Sequence, residues 1–89
     1  MEQGMQPVEM LTVCGTDGTL QPVRFRYETP EHETRTMHIL EIVCTKPLSH
    51  VGIPAILYVC KVRQGEQEHL LELKYMLQAH RWVLFRVIY

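Results

Sequence analysis

Residues 20–28 read LQPVRFRYE, and apolar and polar side chains alternate along this segment. Val23, Phe25 and Tyr27 fall on one face of an extended chain, whereas charged residues fall on the other. A period of two residues is typical of a β-strand with one face in the core and the other in water. The segment therefore predicts a half-buried strand. Pro22 should lie at its start or on a sheet edge, because proline has no N–H to donate.

Short apolar runs of the same kind occur on both sides of this segment. They are Val8–Cys14, Thr34–Cys44, Pro54–Arg63 and Trp82–Tyr89. Asp17-Gly18 and Gln64-Gly65 are typical of tight turns between strands. Residues 46–52 carry a proline and a glycine and are predicted to form a loop. In the Thr34–Cys44 run the apolar face switches between Ile39 and Leu40, which predicts a β-bulge or a strong bend there.

Residues 66–79 allow two interpretations. Their composition is rich in good helix formers, yet Leu71, Leu73 and Tyr75 alternate with charged residues. A strand that returns from the turn at Gly65 is favoured. The predicted fold is therefore all-β: a small antiparallel meander, as a curled sheet or an SH3-like barrel. An α+β fold with a helix at about 66–79 is the alternative.

The length of 89 residues suits one small domain. We expect residues 1–7 to be a flexible N-terminal tail and residues 8–89 to form the single β domain. Large apolar side chains at strand positions are expected to anchor its core: Phe25, Tyr58, Trp82 and Phe85.

Composition and charge indicate the compartment in which the protein acts and the partners that it is expected to bind. The formal net charge is −1, whereas domains built to hold nucleic acid are usually basic. No signal-peptide pattern and no apolar run of about 18 residues is present, so we expect a cytoplasmic protein that is not bound to a membrane. The odd number of cysteines argues against a disulfide framework. Cys44 and Cys60 are expected in the core, whereas Cys14 ends a strand beside Gly15 and could be exposed.

Side chains that carry out catalysis are scarce. Ser49 is the only serine and Asp17 the only aspartate. Ser49 adjoins His50, but a catalytic triad converges from separate segments, so a solvated loop pair is expected. The five histidines lack the close spacing of zinc ligands, and no glycine-rich phosphate loop occurs. We predict no catalytic residue, no metal site and no cofactor.

Basic residues provide the candidate binding site. Arg24 and Arg26 share the wet face of one strand, and neighbouring strands could add further cations. The candidate binding residues are Arg24, Arg26, Arg63 and Lys74. Ordinary cross-strand ion pairing is the alternative explanation for such residues, with Glu28, Glu41 or Glu72 as partners.

Three segments resemble a known family. They are LQPVRFRY at residues 20–27, ELKY at residues 72–75 and RWVLFR at residues 81–86. Together they are similar to small uncharacterised bacterial β-domain proteins, some of which are encoded beside Y-family translesion polymerases. The resemblance covers about residues 8–89, favours a strand at residues 68–75 and implies a link to DNA repair. It assigns no functional residue, because the family has no assigned activity.

Three functions are therefore considered. The first is a non-catalytic binding or scaffold module with an unknown protein partner. The second is a nucleic-acid or DNA-repair accessory domain that uses Arg24 and Arg26. The third is a thiol-dependent sensor or small enzyme centred on Cys14. A homodimer through Trp82–Tyr89 is also predicted, because this run is apolar on both faces and a chain of 89 residues has little structure with which to cover both.

Overall fold

The computed structural model describes residues 6–89, apart from the side chain of His50. It contains six antiparallel strands that close into a barrel in the order β1-β2-β3-β4-β5-β6, with β6 paired back to β1. The strands are β1 (Gln6–Cys14), β2 (Leu20–Glu28), β3 (Thr34–His50), β4 (Ile53–Gln64), β5 (Gln67–Met76) and β6 (Arg81–Val87). The all-β prediction and the antiparallel meander are confirmed, and the meander closes into a barrel rather than remaining an open sheet.

The helix considered for residues 66–79 is wrong, because β5 occupies Gln67–Met76. Leu71 and Leu73 are fully buried, and Tyr75 lies in the same interior cluster. These positions face inwards only in an extended chain. Core burial between β4 and β6 therefore overrides the weak preference of Glu, Leu and Lys for helices. No helix is present among residues 6–89, and hence none there that could cross a membrane.

The loop predicted at residues 46–52 is also wrong. β3 continues to His50 and pairs with β4 until His50 faces Ile53, so most of that segment belongs to a long hairpin. Beyond His38, β3 has a register with β4 and none with β2, and Pro47 therefore lies on an edge strand. Pro47 therefore indicates that this part of β3 is an edge strand, and it does not end the strand.

The bulge predicted between Ile39 and Leu40 is confirmed. The register of β3 with β4 shifts between Ile39 and Glu41, and it shifts again between Ile42 and Cys44. The second shift turns Cys44 outwards, so the expectation of a buried Cys44 is wrong. Ile42, between the two bulges, still packs against the core.

The barrel interior holds one apolar cluster of ten buried residues: Phe25, Met37, Tyr58, Cys60, Val62, Leu71, Leu73, Tyr75, Trp82 and Leu84. The Trp82 ring lies between Tyr58 and Tyr75, with ring centres 5.0 Å apart in each pair. The Tyr58 hydroxyl donates to the carbonyl of Leu20 at 2.8 Å, which joins β4 to the start of β2. Burial raises the pKa of the Cys60 thiol to about 12.

The N-terminal strand closes the barrel. β1 begins at Gln6, two residues before the predicted start of the domain, and Gln6 and Pro7 pair with Leu84 and Val83 of β6. The remainder of the predicted tail, residues 1–5, lies outside the described residues.

Candidate binding face

Three of the four basic residues predicted to bind lie on one outer surface of the barrel. In the strand register Leu11 lies opposite Arg24, Arg24 opposite His38, and His38 opposite Arg63. Residues directly opposite each other project from the same side of a sheet. Their chain neighbours, such as Phe25, belong to the interior, so this row projects outwards. With strands about 4.8 Å apart, the Cα atoms of Arg24 and Arg63 are about 10 Å apart.

Ion pairing separates these cations into two groups. The Arg26 Nε donates to Glu9 Oε1 at 2.8 Å, and Lys61 Nζ lies 3.8 Å from Glu41 Oε1. Within residues 6–89, neither Arg24 nor Arg63 has a carboxylate oxygen within 4.0 Å of its guanidinium. Paired charges at a surface largely cancel for an approaching partner. The net positive charge of this surface therefore comes from Arg24 and Arg63.

One acidic residue lies directly opposite a member of the row in the strand register. Glu68 is opposite Arg63 in the register of β4 with β5, yet their charged groups are more than 4.0 Å apart. Arg63 is therefore partly balanced by a carboxylate that it does not contact. Arg24, between Leu11 and His38, has no carboxylate opposite it on either neighbouring strand. Arg24 is accordingly the strongest candidate for binding an external anion.

Exposed apolar side chains lie beside Arg24 and further along the neighbouring strands. Leu11 and Val13 project from β1, Val23 directly precedes Arg24, and Leu40 is the first bulge residue of β3. We call this surface the basic–apolar face. It comprises Leu11, Val13, Val23, Arg24, His38, Leu40 and Arg63. Exposed apolar groups beside unpaired charge are typical of protein interaction sites.

The basic–apolar face contains a shallow depression. It has a volume of about 500 Å³ and lies between Arg24 and Arg26, with Leu11, Thr36 and the Glu9 carboxylate at its margins. Because Arg26 is bonded to Glu9, the free guanidinium at this depression is that of Arg24. A partner carboxylate could bind there while its apolar neighbours cover Leu11.

Lys74 is far from this face in the strand order. It lies on β5 between Leu57 of β4 and Val83 of β6, and it is only 4% exposed. Its ammonium lies 3.7 Å from the centre of the Phe85 ring. The structure therefore separates Lys74 from Arg24, Arg26 and Arg63, and gives it a packing partner instead.

Three of the four predicted core anchors lie in the interior, and one lies on the outside. Phe25, Tyr58 and Trp82 belong to the interior cluster. Phe85 does not, because the register of β5 with β6 shifts between Glu72 and Leu73 and leaves Phe85 on the outside, half-buried against Lys74. The sequence did not signal this shift, because β6 is apolar at both parities.

Sequence reasoning missed the apolar half of the basic–apolar face. Leu11 and Val13 are exposed because Met10 takes the inward position of β1 and the register with β2 shifts at Leu11/Thr12. Val23 was expected inside with Phe25, but the same shift leaves it without a partner residue on β1. The only sequence signal was that β1 is apolar at adjacent positions, which a strand with one wet face does not require.

The structure provides little support for the hypothesis of a thiol-dependent sensor or enzyme. Cys14 and Cys44 are exposed, and the recorded hydrogen bond of Cys14 is a long one, 3.7 Å from its Sγ to the carbonyl of Gly15. A reactive thiolate needs a cation or a helix N-terminus beside it. Cys60 is buried, and its raised pKa keeps it protonated at neutral pH. The described residues also contain no group of three or more His, Cys, Asp or Glu side chains placed to hold a metal ion.

The C-terminal strand bears on the predicted homodimer. Trp82 and Leu84 are covered by the barrel interior, and Val83 is buried on the outer side. The apolar residues that stay exposed are Val87, Ile88 and Tyr89. Part of the surface that motivated a second subunit is therefore covered within one chain, and the homodimer stays a prediction.

Comparisons of the chain with protein-family models, with curated proteins and with solved structures find no match. The resemblance to small bacterial β-domain proteins, and the link to DNA repair that it implies, therefore stay predictions. The functional proposal therefore rests on the residues of the candidate binding face.

Proposed function

We propose that this protein is a small, non-catalytic binding module that holds an acidic, partly apolar segment of a partner protein on its basic–apolar face. The observation that carries the proposal is the position of Arg24. It is an exposed guanidinium without an ion-pair partner in the described structure, with Leu11 and Val23 exposed beside it. A carboxylate on the partner would complete its charge, and apolar side chains would cover its neighbours.

The composition of the face favours a protein over a nucleic acid. Strong nucleic-acid binding requires many phosphate contacts, and among the described residues of this face only Arg24 and Arg63 are arginines or lysines without an ion pair. Single strands are also held by stacking on exposed aromatic rings. Phe25 and Tyr58 are directed into the interior, and the basic–apolar face contains no aromatic ring apart from the His38 imidazole. The nucleic-acid accessory role is therefore the second candidate.

We further propose that the module acts in a reducing compartment such as the cytoplasm. Cys14 and Cys44 are both free and exposed. Exposed thiols persist where glutathione and thioredoxin keep them reduced. This location also suits a partner with a carboxylate-rich segment, since the charge attraction operates over about 8 Å at physiological ionic strength.

A charge-reversal experiment tests the proposal. The probe is a short peptide in which Glu alternates with Leu and Val, and its control has Gln in place of Glu. Heteronuclear NMR should show the acidic peptide shifting amide signals around Arg24, His38 and Arg63. The Gln peptide should bind at least about tenfold more weakly, because each charge-assisted contact contributes about 1.5–3 kcal/mol.

The matched variants locate the site. The double variant Arg24→Glu/Arg63→Glu should abolish peptide binding. The double variant Lys46→Glu/Arg81→Glu makes the same change in net charge at exposed positions elsewhere, and it should weaken binding only slightly. Equal losses in the two double variants would show nonspecific attraction and overturn the proposal. Tighter binding of a single-stranded oligonucleotide, lost in the first variant alone, would replace the protein partner with a nucleic acid.

The same pair of variants can be used in cells of the source organism. Tagged wild-type protein and both double variants would be isolated in parallel, and the captured proteins compared by quantitative mass spectrometry. We expect an acidic partner to be lost only from Arg24→Glu/Arg63→Glu. A captured set that does not differ between the two double variants would count against a role for this face.

A further inference from the structure

The barrel is not closed equally along its whole height. β2 and β3 pair from Glu28–Thr34 as far as Arg24–His38, and no register follows beyond that point. Residues 20–23 of β2 and the later part of β3 therefore diverge. A cleft of about 580 Å³ opens between them at the end of the barrel that carries the β1–β2 turn. This volume falls in the range of about 300–1,000 Å³ that is usual for small-molecule sites.

The wall of the cleft is mostly apolar and aromatic. The apolar and aromatic residues that line it are Leu20, Ile42, Ile56, Tyr58, Tyr75 and Leu77. Both tyrosine hydroxyls already have partners. Tyr58 donates to the Leu20 carbonyl, and the Tyr75 hydroxyl lies 3.1 Å from Nδ1 of His80. With their hydroxyls engaged, the two tyrosines contribute mainly apolar ring carbon to the lining of the cleft.

The rim of the cleft carries a fixed negative charge. Oδ1 of Asp17 accepts hydrogen bonds from the backbone N–H and from the hydroxyl of Thr19, at 3.1 and 2.8 Å. These bonds, first the backbone one and then the hydroxyl one, lower the pKa of the Asp17 carboxyl. The turn itself is held by the N–H of Gly18 donating to the carbonyl of Gly15 and by the N–H of Gly15 donating to the carbonyl of Thr19. Both recorded hydrogen bonds use Oδ1, so Oδ2 can accept from a ligand.

Charge selects the ligand class. Among the described residues that line the cleft, Asp17 is the one carboxylate, and no lysine, arginine or histidine is present. We infer that this cleft binds a small organic cation with an apolar or aromatic body. The ammonium group of the ligand binds Oδ2 of Asp17, and its body packs against Tyr58 and Tyr75. This site is separate from the basic–apolar face and does not depend on the proposed function.

Three probes with the same ring system test the charge requirement. Tryptamine is a cation at neutral pH, tryptophol is neutral, and indole-3-acetate is an anion. Tryptamine should shift amide signals of the β1–β2 turn and of β3 around Ile42. Tryptophol should bind about fivefold more weakly, since an exposed ion pair contributes up to about 1 kcal/mol. Indole-3-acetate should bind least.

Two variants separate the charge from the cleft. Asp17→Asn keeps an oxygen that can accept both bonds from Thr19 and removes the charge, so tryptamine and tryptophol should bind it equally. Thr45 faces the cleft in register with Tyr58, and it is exposed. Thr45→Phe should fill the cleft and prevent binding of all three probes, while amide spectra confirm the fold.

The inference fails under clear conditions. It is overturned when tryptamine causes no localised shifts at the cleft, or when wild-type protein binds tryptophol as tightly as tryptamine. Tryptamine shifts that persist unchanged in Thr45→Phe would place the ligand elsewhere and would also overturn it. None of these three results would alter the peptide experiment, because Asp17 and Thr45 lie outside the basic–apolar face.

Discussion

The barrel has two outer surfaces that differ in how far their side chains are buried. On β1 to β4, the basic–apolar face leaves Leu11 and Arg24 exposed. On β4 to β6, a second surface buries most of its apolar and charged residues, although Arg86 stays exposed, and we call it the paired face. It comprises Leu57, Glu72, Lys74, Val83, Phe85 and Arg86.

Each charge on the paired face is matched by a neighbour. The Arg86 Nε donates to Glu72 Oε1 at 2.8 Å, and the Lys74 ammonium lies over the Phe85 ring. On the basic–apolar face, Arg24 has no such partner in the described structure. Both surfaces consist of side chains that project outwards from strands. The paired face therefore contributes to stability, whereas the basic–apolar face leaves its side chains exposed, where the proposed partner would bind.

Matched leucines give the largest test of this difference. Leu57 on the paired face is 6% exposed, whereas Leu11 on the basic–apolar face is 51% exposed. Leu57→Ala should lower the free energy of unfolding by about 2–4 kcal/mol, because it removes buried methyl groups and leaves a cavity. Leu11→Ala should change it by less than about 0.5 kcal/mol. Urea denaturation measures both, and similar losses would show that the two faces do not differ.

Matched ion pairs give a smaller effect. The Glu72 side chain is only 11% exposed in its pair with Arg86, whereas Glu9 and Arg26 are both well exposed. Arg86→Ala should destabilise the protein by about 2 kcal/mol, because it leaves a mostly buried carboxylate without its donor. Arg26→Ala should cost less than about 0.5 kcal/mol.

A second substitution isolates the ion-pair energy from the packing of the arginine stem. Glu72→Gln should restore part of the stability lost in Arg86→Ala, because it removes the stranded charge. A double variant that is less stable than Arg86→Ala alone would refute the view that the Glu72 charge is the source of the loss.

The fold followed from local pattern, but the position of the site did not. Alternation in residues 20–28 and at Leu71, Leu73 and Tyr75 was sufficient for strands, because period two exists only in extended chains. Residues 46–50 were missed because Pro47 signals a break, whereas pairing with β4 keeps an edge strand extended. Local sequence carries no information on which distant segment will pair with it.

The candidate site also depends on which distant segments come together, and local sequence does not show this. Arg24, Arg63 and Lys74 are equivalent in sequence: each is a cation at an outward position of a strand. Only the strand order of the closed barrel places Arg63 in one row with Arg24 and places Lys74 between Leu57 and Val83. The bulges then decide which apolar residues join the face. Both features depend on tertiary structure, so alternation alone predicted the candidates and not their grouping.

Matched cations give the smallest effect on stability and the sharpest contrast in function. Lys74→Ala should destabilise the protein by about 1 kcal/mol, because the buried stem and the contact of its ammonium with Phe85 are both lost. Arg24→Ala should change stability by less than about 0.5 kcal/mol, since an exposed arginine without an ion pair contributes little. Thermal denaturation at fixed salt compares the two.

The same two variants should behave in the opposite order when the acidic peptide is titrated. Arg24→Ala should weaken its binding by about tenfold, because the partner carboxylate loses its charge-assisted hydrogen bonds. Lys74→Ala should bind as the wild type does at temperatures well below its melting transition, because its ammonium is on the other face. Stability and binding that fell together in either variant would mean that the two faces are not functionally separate. Opposite orders of effect in the two measurements would tie the stabilising role to the paired face and the binding role to Arg24.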